Sequence, residues 1–334
     1  MQKKYSVKDF ADNIFNTKTA GEFERLSLGI FNYQFENNQV YRRYAELVNK
    51  TPKNVSKIVE IPFLPIEFFK TQKIITGDGE PEQVFLSSGT TGQVRSRHFI
   101  TNISLYEKSF YSAFRMFYGE PEDYCILALL PSYLEREGSS LIYMVEKLIS
   151  ESGHPMSGFH LYDHEALHSK IQTLKKEKQK NILFGVSYAL LDFAENFNVD
   201  SPFTIIMETG GMKGKRREMP KEEMYDILKR NLKVEEIHSE YGMTELLSQA
   251  YSKKDNRFFC PETMKILIRD TSDPFAFLSD GQTGGINIVD LANINSCSFI
   301  ETKDLGKKHP DGSFEVLGRF EASDIRGCNL LVAE

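Results

Sequence analysis

An α/β fold with a smaller β-rich part is what the sequence predicts, on three observations. Short apolar runs at 84–86, 124–130, 182–184 and 203–207 alternate with helical spacings around 102–117, 139–151, 164–179 and 187–197. Strands alternating with helices imply a largely parallel sheet with helices on its faces. Further on, runs at 264–268, 286–289, 298–300 and 314–317 are joined by Gly, Asp and Asn turns with little helix between them, which implies a small β-rich subdomain. The length of 334 residues allows one large domain or two ordinary ones, and 40% hydrophobic with 26% charged residues is the composition of a soluble globular chain.

Taken in order, the first third reads as helical and punctuated. Thr19 with Glu22 has the form of a capping box and opens an amphipathic run through Phe23, Leu26, Leu28, Ile30 and Phe31. Residues 61–65, Ile-Pro-Phe-Leu-Pro, read as an extended lead-in, because each proline removes a donor and restrains its predecessor. The expected regions are 1–60, 61–250 and 251–334. No internal repeat is visible, and the lysine-rich stretch 170–180 reads as the solvated face of a helix. Lys+Arg 41 against Asp+Glu 47 gives a net charge of -6, which argues against a nucleic-acid partner. No apolar run approaches the length of a membrane span and no apolar signal region follows the first residues, so a cytoplasmic protein is expected. Cys125, Cys260, Cys297 and Cys328 form no CxxC pair and are expected to be free thiols.

The strongest motif is Phe85-Leu-Ser-Ser-Gly-Thr-Thr-Gly-Gln-Val-Arg-Ser, after a short strand. Gly89 and Gly92 let the backbone approach an anion, and Ser87, Ser88, Thr90 and Thr91 add hydroxyl donors, so the loop reads as a phosphate cradle. It lacks the spacing and the lysine of a Walker A loop. A plain polar hairpin is the bland alternative. In His238-Ser-Glu-Tyr-Gly-Met-Thr-Glu, Tyr241 offers a flat face, Thr244 a hydroxyl, and Glu245 a carboxylate hard enough for Mg2+. In Thr302-Lys-Asp-Leu-Gly, Asp304 can accept two ribose hydroxyls, and in Leu317-Gly-Arg-Phe-Glu-Ala-Ser-Asp-Ile-Arg-Gly-Cys-Asn, Arg319 can neutralise a phosphate. His164-Glu-Ala-Leu-His168 fits the HExxH zinc pattern, but Asp163 reads as an N-cap and no third ligand stands out, so an ordinary helix start is preferred.

In order and spacing these motifs resemble the core motifs of the adenylate-forming enzymes, the superfamily of acyl-CoA synthetases, luciferases and peptide-synthetase adenylation domains. Tyr188 to Phe193 fall where those enzymes have the acyl-pocket helix, and Thr209-Gly210-Gly211-Met212 where they have the adenine-binding glycine loop. Within the superfamily the chain is most similar to the acyl-protein synthetases of the LuxE type, through Ile61-Pro-Phe-Leu-Pro-Ile-Glu-Phe-Phe-Lys70 and Arg326-Gly-Cys-Asn329. The resemblance implies the α/β large domain of an adenylate-forming enzyme with a β-rich subdomain, lacking the usual C-terminal lid domain. It makes 61–250 the nucleotide- and acyl-binding core and 251–334 the part that ends in the acyl-acceptor segment. ATP and Mg2+ are implied as cofactors, with Ser87 to Gly92, Gly210, Gly211, Tyr241, Gly242, Asp304 and Arg319 on the nucleotide, Glu245 on the metal, and Thr244 on the α-phosphate. Cys328 is implied as the thiol that takes the acyl group from a fatty or other carboxylic acid. An acyl-reductase partner and a homo-oligomer are also compatible with it. The lid's lysine has no positional match, which leaves Arg95, Lys303, Lys307 or a group from another subunit. A CoA ligase of the phenylacetate type and a nucleotide-binding module without catalysis are the alternatives.

Overall fold

The computed structural model describes residues 10, 13–88, 94–130, 138–210, 216–217 and 219–319. In chain order they form α1 (Ala20–Asn37), α2 (Gln39–Leu47), β1 (Leu64–Pro65), α3 (Phe68–Thr71), β2 (Gln83–Leu86), β3 (Arg97–Ile100), α4 (Ile103–Tyr118) and β4 (Cys125–Leu129). There follow α5 (Ser140–Ser152), β5 (Gly158–Phe159), α6 (His164–Glu177), β6 (Asn181–Val186), α7 (Ser187–Ala194), β7 (Thr204–Thr209), α8 (Lys221–Leu232) and β8 (Ile237–Tyr241). The last third holds β9 (Ala250–Ser252), β10 (Phe258–Phe259), β11 (Met264–Arg269), β12 (Thr283–Asp290), β13 (Phe299–Lys308) and β14 (Phe314–Arg319), with a 3-10 turn at Leu291–Asn295. This is the α/β class with a β-rich part that the hydrophobic periods imply.

Contacts divide the chain into two compact units, one of residues 1–109, 244–249 and 259–334, the other of 110–243 and 250–258. In the second unit β5, β4, β6, β7 and β8 lie side by side, all parallel, and β9 runs antiparallel to β8. Every residue of β4 and β6 is buried. A strand covered on both faces needs apolar side chains at successive positions, which is why these two read as continuous apolar runs without alternation. Caps fix the helix starts: the Ser139 hydroxyl accepts from Ile142 N, and the Asp163 carboxylate from Ala166 N.

In the first unit β11 to β14 form an antiparallel meander, and β1 adds to it in parallel through Leu64 opposite Ile300. The capping box that opens α1 is formed, with Glu22 N donating to the Thr19 hydroxyl and Thr19 N donating back to the Glu22 carboxylate. The apolar face of α1 meets the sheet through Phe31, which packs edge-on to Phe299. Tyr41 stacks on the same Phe299 at 6.0 Å and spends its hydroxyl on the Pro62 carbonyl. Each such buried aromatic contributes about 2–3 kcal/mol relative to exposure. Separately, β2 and β3 pair antiparallel, Leu86 opposite Arg97, so that Ser87 and Ser96 emerge bonded to each other where the phosphate-loop sequence begins and ends.

Candidate active site

In the first unit the candidate residues gather around a turn and a strand pair. Thr244 and Glu245 occupy a turn between regular elements. Glu245 is 5% exposed. Burial pushes its carboxyl pKa up, the Ser96 hydroxyl and its own amide pull it down, and Arg319 and Asp304 act on it in opposite senses. Asp304 and Arg319 are cross-strand partners on β13 and β14, and Arg319 Nε donates to Asp304 Oδ1 at 3.1 Å. A bulge between Leu305 and Gly306 sets that register. Only glycine fits at 306: a Cβ there would lie 2.6 Å from the Glu315 carbonyl and 2.5 Å from Ile286 Cδ1. The Thr-Lys-Asp-Leu-Gly motif thus supplies both the carboxylate and the irregularity that turns it toward Arg319.

At the phosphate-loop sequence, Ser87 Oγ accepts from Ser96 N at 2.9 Å, and Arg95 Nε donates to the Ser87 carbonyl. Ser88 is described, whereas Gly89, Thr90, Thr91 and Gly92 lie outside the described residues, as do Gly211 and Cys328. Of the remaining cations considered above, Lys303 pairs with Glu67 at 2.6 Å, and Lys307 lies on β13 opposite Glu315.

In the second unit the candidates stand at the carboxyl ends of parallel strands, where open α/β sheets bind ligands. Thr209 is opposite Glu240, so Gly210 follows directly after β7 and Tyr241 ends β8. Gly210 has φ +77° and is exposed, a backbone that only glycine adopts without strain. Tyr241 is 8% exposed and meets Phe258 edge-on at 5.9 Å, while Gly242 is exposed. On α7, Tyr188 and Phe193 are buried.

Two acids beside these residues escaped the reading of the sequence. The Glu208 carboxylate accepts from the Ser187, Ser239 and Tyr225 hydroxyls at 2.5, 2.8 and 3.2 Å, with Lys221 Nζ 3.3 Å away. Glu240 accepts from the Thr209 hydroxyl at 2.6 Å, and burial, with Glu208 adding, pushes its pKa up to about 7. The signal was there: in each case an acid near the end of a strand, two residues ahead of a glycine. The HExxH residues sit at the start of α6, where His164 meets Phe193 edge-on at 5.6 Å and His168 packs on Phe197 at 5.1 Å, 3.1 Å from Gln172 Nε2. Among the described residues no three His, Cys, Asp or Glu side chains cluster as a metal site, and no helix is long and apolar enough to cross a membrane.

The donor set around Glu245 fits a hard divalent cation. It offers carboxyl oxygen rather than thiol or imidazole, and its burial carries a charging penalty that a bound cation would relieve.

Known structures place this architecture. The chain has the fold of the adenylate-forming acyl-CoA ligases. It superposes on an open form of 2-hydroxyisobutyryl-CoA ligase with 2-HIB-AMP and CoA at a TM-score of 0.69, 12% identical, covering 100% of this chain and 86% of that one. ATP-bound MatB from Rhodopseudomonas palustris matches at 0.52 with 15% identity over 72% of this chain and 49% of its own, so the chain spans about half the length of that enzyme. No family model matches the chain. In sequence the chain is similar to the long-chain-fatty-acid--luciferin-component ligase of Vibrio harveyi, 22% identical and covering 93% of this chain and 87% of that protein. The protein of the same name from Photorhabdus luminescens is 34% identical over 70 residues, 21% of this chain and 60% of its own. The resemblance drawn from the motifs, to LuxE-type synthetases within the adenylate-forming superfamily, is therefore borne out.

Proposed function

We propose that the protein activates a carboxylic acid, of the long-chain fatty class, with ATP and passes the acyl group to its own Cys328 as a thioester. The observation that carries the first step is the unit built of Glu245, Asp304 and Arg319: a buried carboxyl, a ribose-type acceptor and a phosphate-type cation brought together by one turn and one bulged strand pair. A carboxylate oxygen of the acid attacks the α-phosphorus of ATP, and pyrophosphate leaves with the bonding pair. Thr244 donates to the α-phosphate, Asp304 accepts from the ribose hydroxyls, the Tyr241 ring faces adenine, with Gly210, Gly211 and Gly242 leaving it room, and the loop Ser87 to Gly92 holds the outer phosphates. Glu245 would hold Mg2+, which would supply neutralisation of phosphate charge. Catalysis of this kind rests on positioning and charge. The Cys328 thiolate then attacks the acyl carbon and AMP leaves; a reductase that consumes acyl thioesters is the fitting partner.

The described thiols support the choice of acceptor. Cys125 and Cys297 are buried, and burial raises the thiol pKa of all three, to about 12 for Cys260 and Cys297. None of them offers the thiolate that acyl transfer needs.

ATP–pyrophosphate exchange across fatty and aromatic acids tests the first step: acid-dependent exchange is expected, and its absence with every acid overturns the reading. Cys328→Ser tests the second. It should keep exchange near the parent level while losing the hydroxylamine-labile protein label formed from ATP and radiolabelled fatty acid. A second reading, a CoA ligase, is favoured by the CoA-bound fold relative. Acylation of free CoA by a parent that never labels itself would establish it.

A further inference from the structure

Residues 244–249 form no helix or strand, yet from Glu245 onward they are buried, so their main-chain groups must find partners among side chains. Two carbonyls find them in two neighbouring side chains. His98 Nδ1 lies 2.8 Å from the Thr244 carbonyl, an acceptor that takes the one N–H of the neutral ring, and Asn293 Nδ2 donates to the Glu245 carbonyl at 2.7 Å, its Oδ1 lying 3.0 Å from His98 Nε2. His98 is 0% and Asn293 1% exposed, so water does not compete for these bonds. Downstream, Asp290 accepts from Leu247 N at 2.7 Å and Ser248 N at 3.0 Å. The carbonyls so held belong to Thr244 and Glu245 themselves.

His98 also occupies a telling place in the chain. It lies on β3, two residues after Ser96, whose hydroxyl lowers the pKa of the Glu245 carboxyl. The strand and the residue just ahead of it therefore reach the turn twice, acting on the Glu245 side chain through Ser96 and on the Thr244 main chain through His98. Its hairpin partner β2 leads into the phosphate-loop sequence at Ser87.

We propose that His98 and Asn293 are positioning residues of the adenylation step, fixing the aim of Thr244 and Glu245 by holding their main-chain carbonyls; this rests on the function proposed above. Neither side chain touches the reacting groups. Their part is to fix the backbone from which the hydroxyl and the carboxylate project, where a displacement of about 1 Å costs on the order of 100-fold in rate.

The test compares Asn293→Ala, His98→Gln and a control, Asn38→Ala, in the full chain. Asn38 is 1% exposed, caps α2, and donates to Thr76 and to the Ser296 carbonyl without touching the turn. Two readouts are used: kcat and KM of pyrophosphate exchange, and calorimetric ATP binding with and without Mg2+. In Asn293→Ala, kcat should fall roughly 10- to 100-fold with KM for the acid within about 2-fold, and the gain in ATP affinity given by Mg2+ should shrink. His98→Gln, which keeps one amide donor, should fall less. Asn38→Ala should lose thermal stability while keeping kcat and the Mg2+ effect. Parental kcat and Mg2+ effect in folded Asn293→Ala overturn the proposal, as does an equal kcat loss in Asn38→Ala, which would mark general loosening. If Asn293→Ala fails to fold, parental values in His98→Gln overturn it instead. A parent that neither binds ATP nor exchanges pyrophosphate overturns the adenylation reading itself, whereas an active parent with indifferent variants overturns only the positioning.

Discussion

Glu245 and Asp304 in one unit and Glu208 and Glu240 in the other are all withdrawn from water, at 5%, 5%, 1% and 8% exposure, but they are held in different ways. Glu208 is ringed by three hydroxyls and a lysine, all from the same unit. On Glu245 one hydroxyl and its own amide act to lower the pKa, and a cation that acts on its charge, Arg319, has a side chain 76% exposed and already shared with Asp304. A buried carboxylate surrounded by fixed donors is complete in itself. One with few donors and a solvated, shared countercharge keeps capacity for a ligand. The comparison thus separates an acid suited to chemistry from an acid suited to architecture, although both precede or follow glycine-bearing motifs.

The largest expected effect tests the first half of that separation. Glu245→Gln keeps the shape and removes the charge, so pyrophosphate exchange should fall by about 100-fold or more. Stability should hold or rise slightly, because the cost of burying a charge disappears. Exchange at the parent rate would remove Glu245 from the mechanism, and a large loss of stability would move it into the architectural class.

Glu208→Ala tests the other half, with the effect on stability. It strips the common acceptor from Ser187, Ser239 and Tyr225 and removes the carboxylate that Lys221 pairs with. Lys221 is 28% exposed on its side chain and can turn to water, which trims the penalty to roughly 3 kcal/mol. Urea unfolding followed by far-UV circular dichroism measures it. A midpoint unchanged from the parent would show that the network is not structural.

The contrast between these regions also marks what the sequence could disclose. The capping box at Thr19, the buried runs of β4 and β6, and the motifs themselves are local patterns, and local patterns are legible. β13 is read at 298–300 but runs to Lys308, because pairing with β12 on one side and β14 on the other extends it past its apolar start. α8 went unread: Met224, Tyr225, Leu228 and Leu232 form its buried face, diluted by the charged residues between them. The pairing of Asp304 with Arg319 depends on a bulge at Gly306, and His98 and Asn293 act on main-chain carbonyls. Neither leaves a periodic trace, so both needed coordinates.

The smallest effect is one of pH, and it sharpens the architectural side. Glu240 has a folded pKa of about 7 against an ordinary 4.5, because burial and the neighbouring Glu208 outweigh the Thr209 hydroxyl and Lys221. Below about pH 4.5 the carboxyl is protonated in folded and unfolded chains alike and contributes nothing to pH dependence. Between about 4.5 and 7 the unfolded chain releases the proton while the fold retains it, so stability falls as pH rises; above 7 the penalty is constant, on the order of 3 kcal/mol. Glu240→Gln cannot ionise and keeps an amide to meet the Thr209 hydroxyl. It should be more stable than the parent at pH 8, with the gap closing toward pH 4.5. His98 and His238, both lowered to about 4 by burial, run the other way, losing stability as pH falls from about 6.5 toward 4. They do so in both proteins, so the difference between variant and parent isolates Glu240. Thermal unfolding of the two proteins from pH 5 to 8, without nucleotide, is the measurement. A gap that stays flat across that range would mean that Glu240 is ionised throughout in the fold, and that this part of the second unit has a countercharge for it.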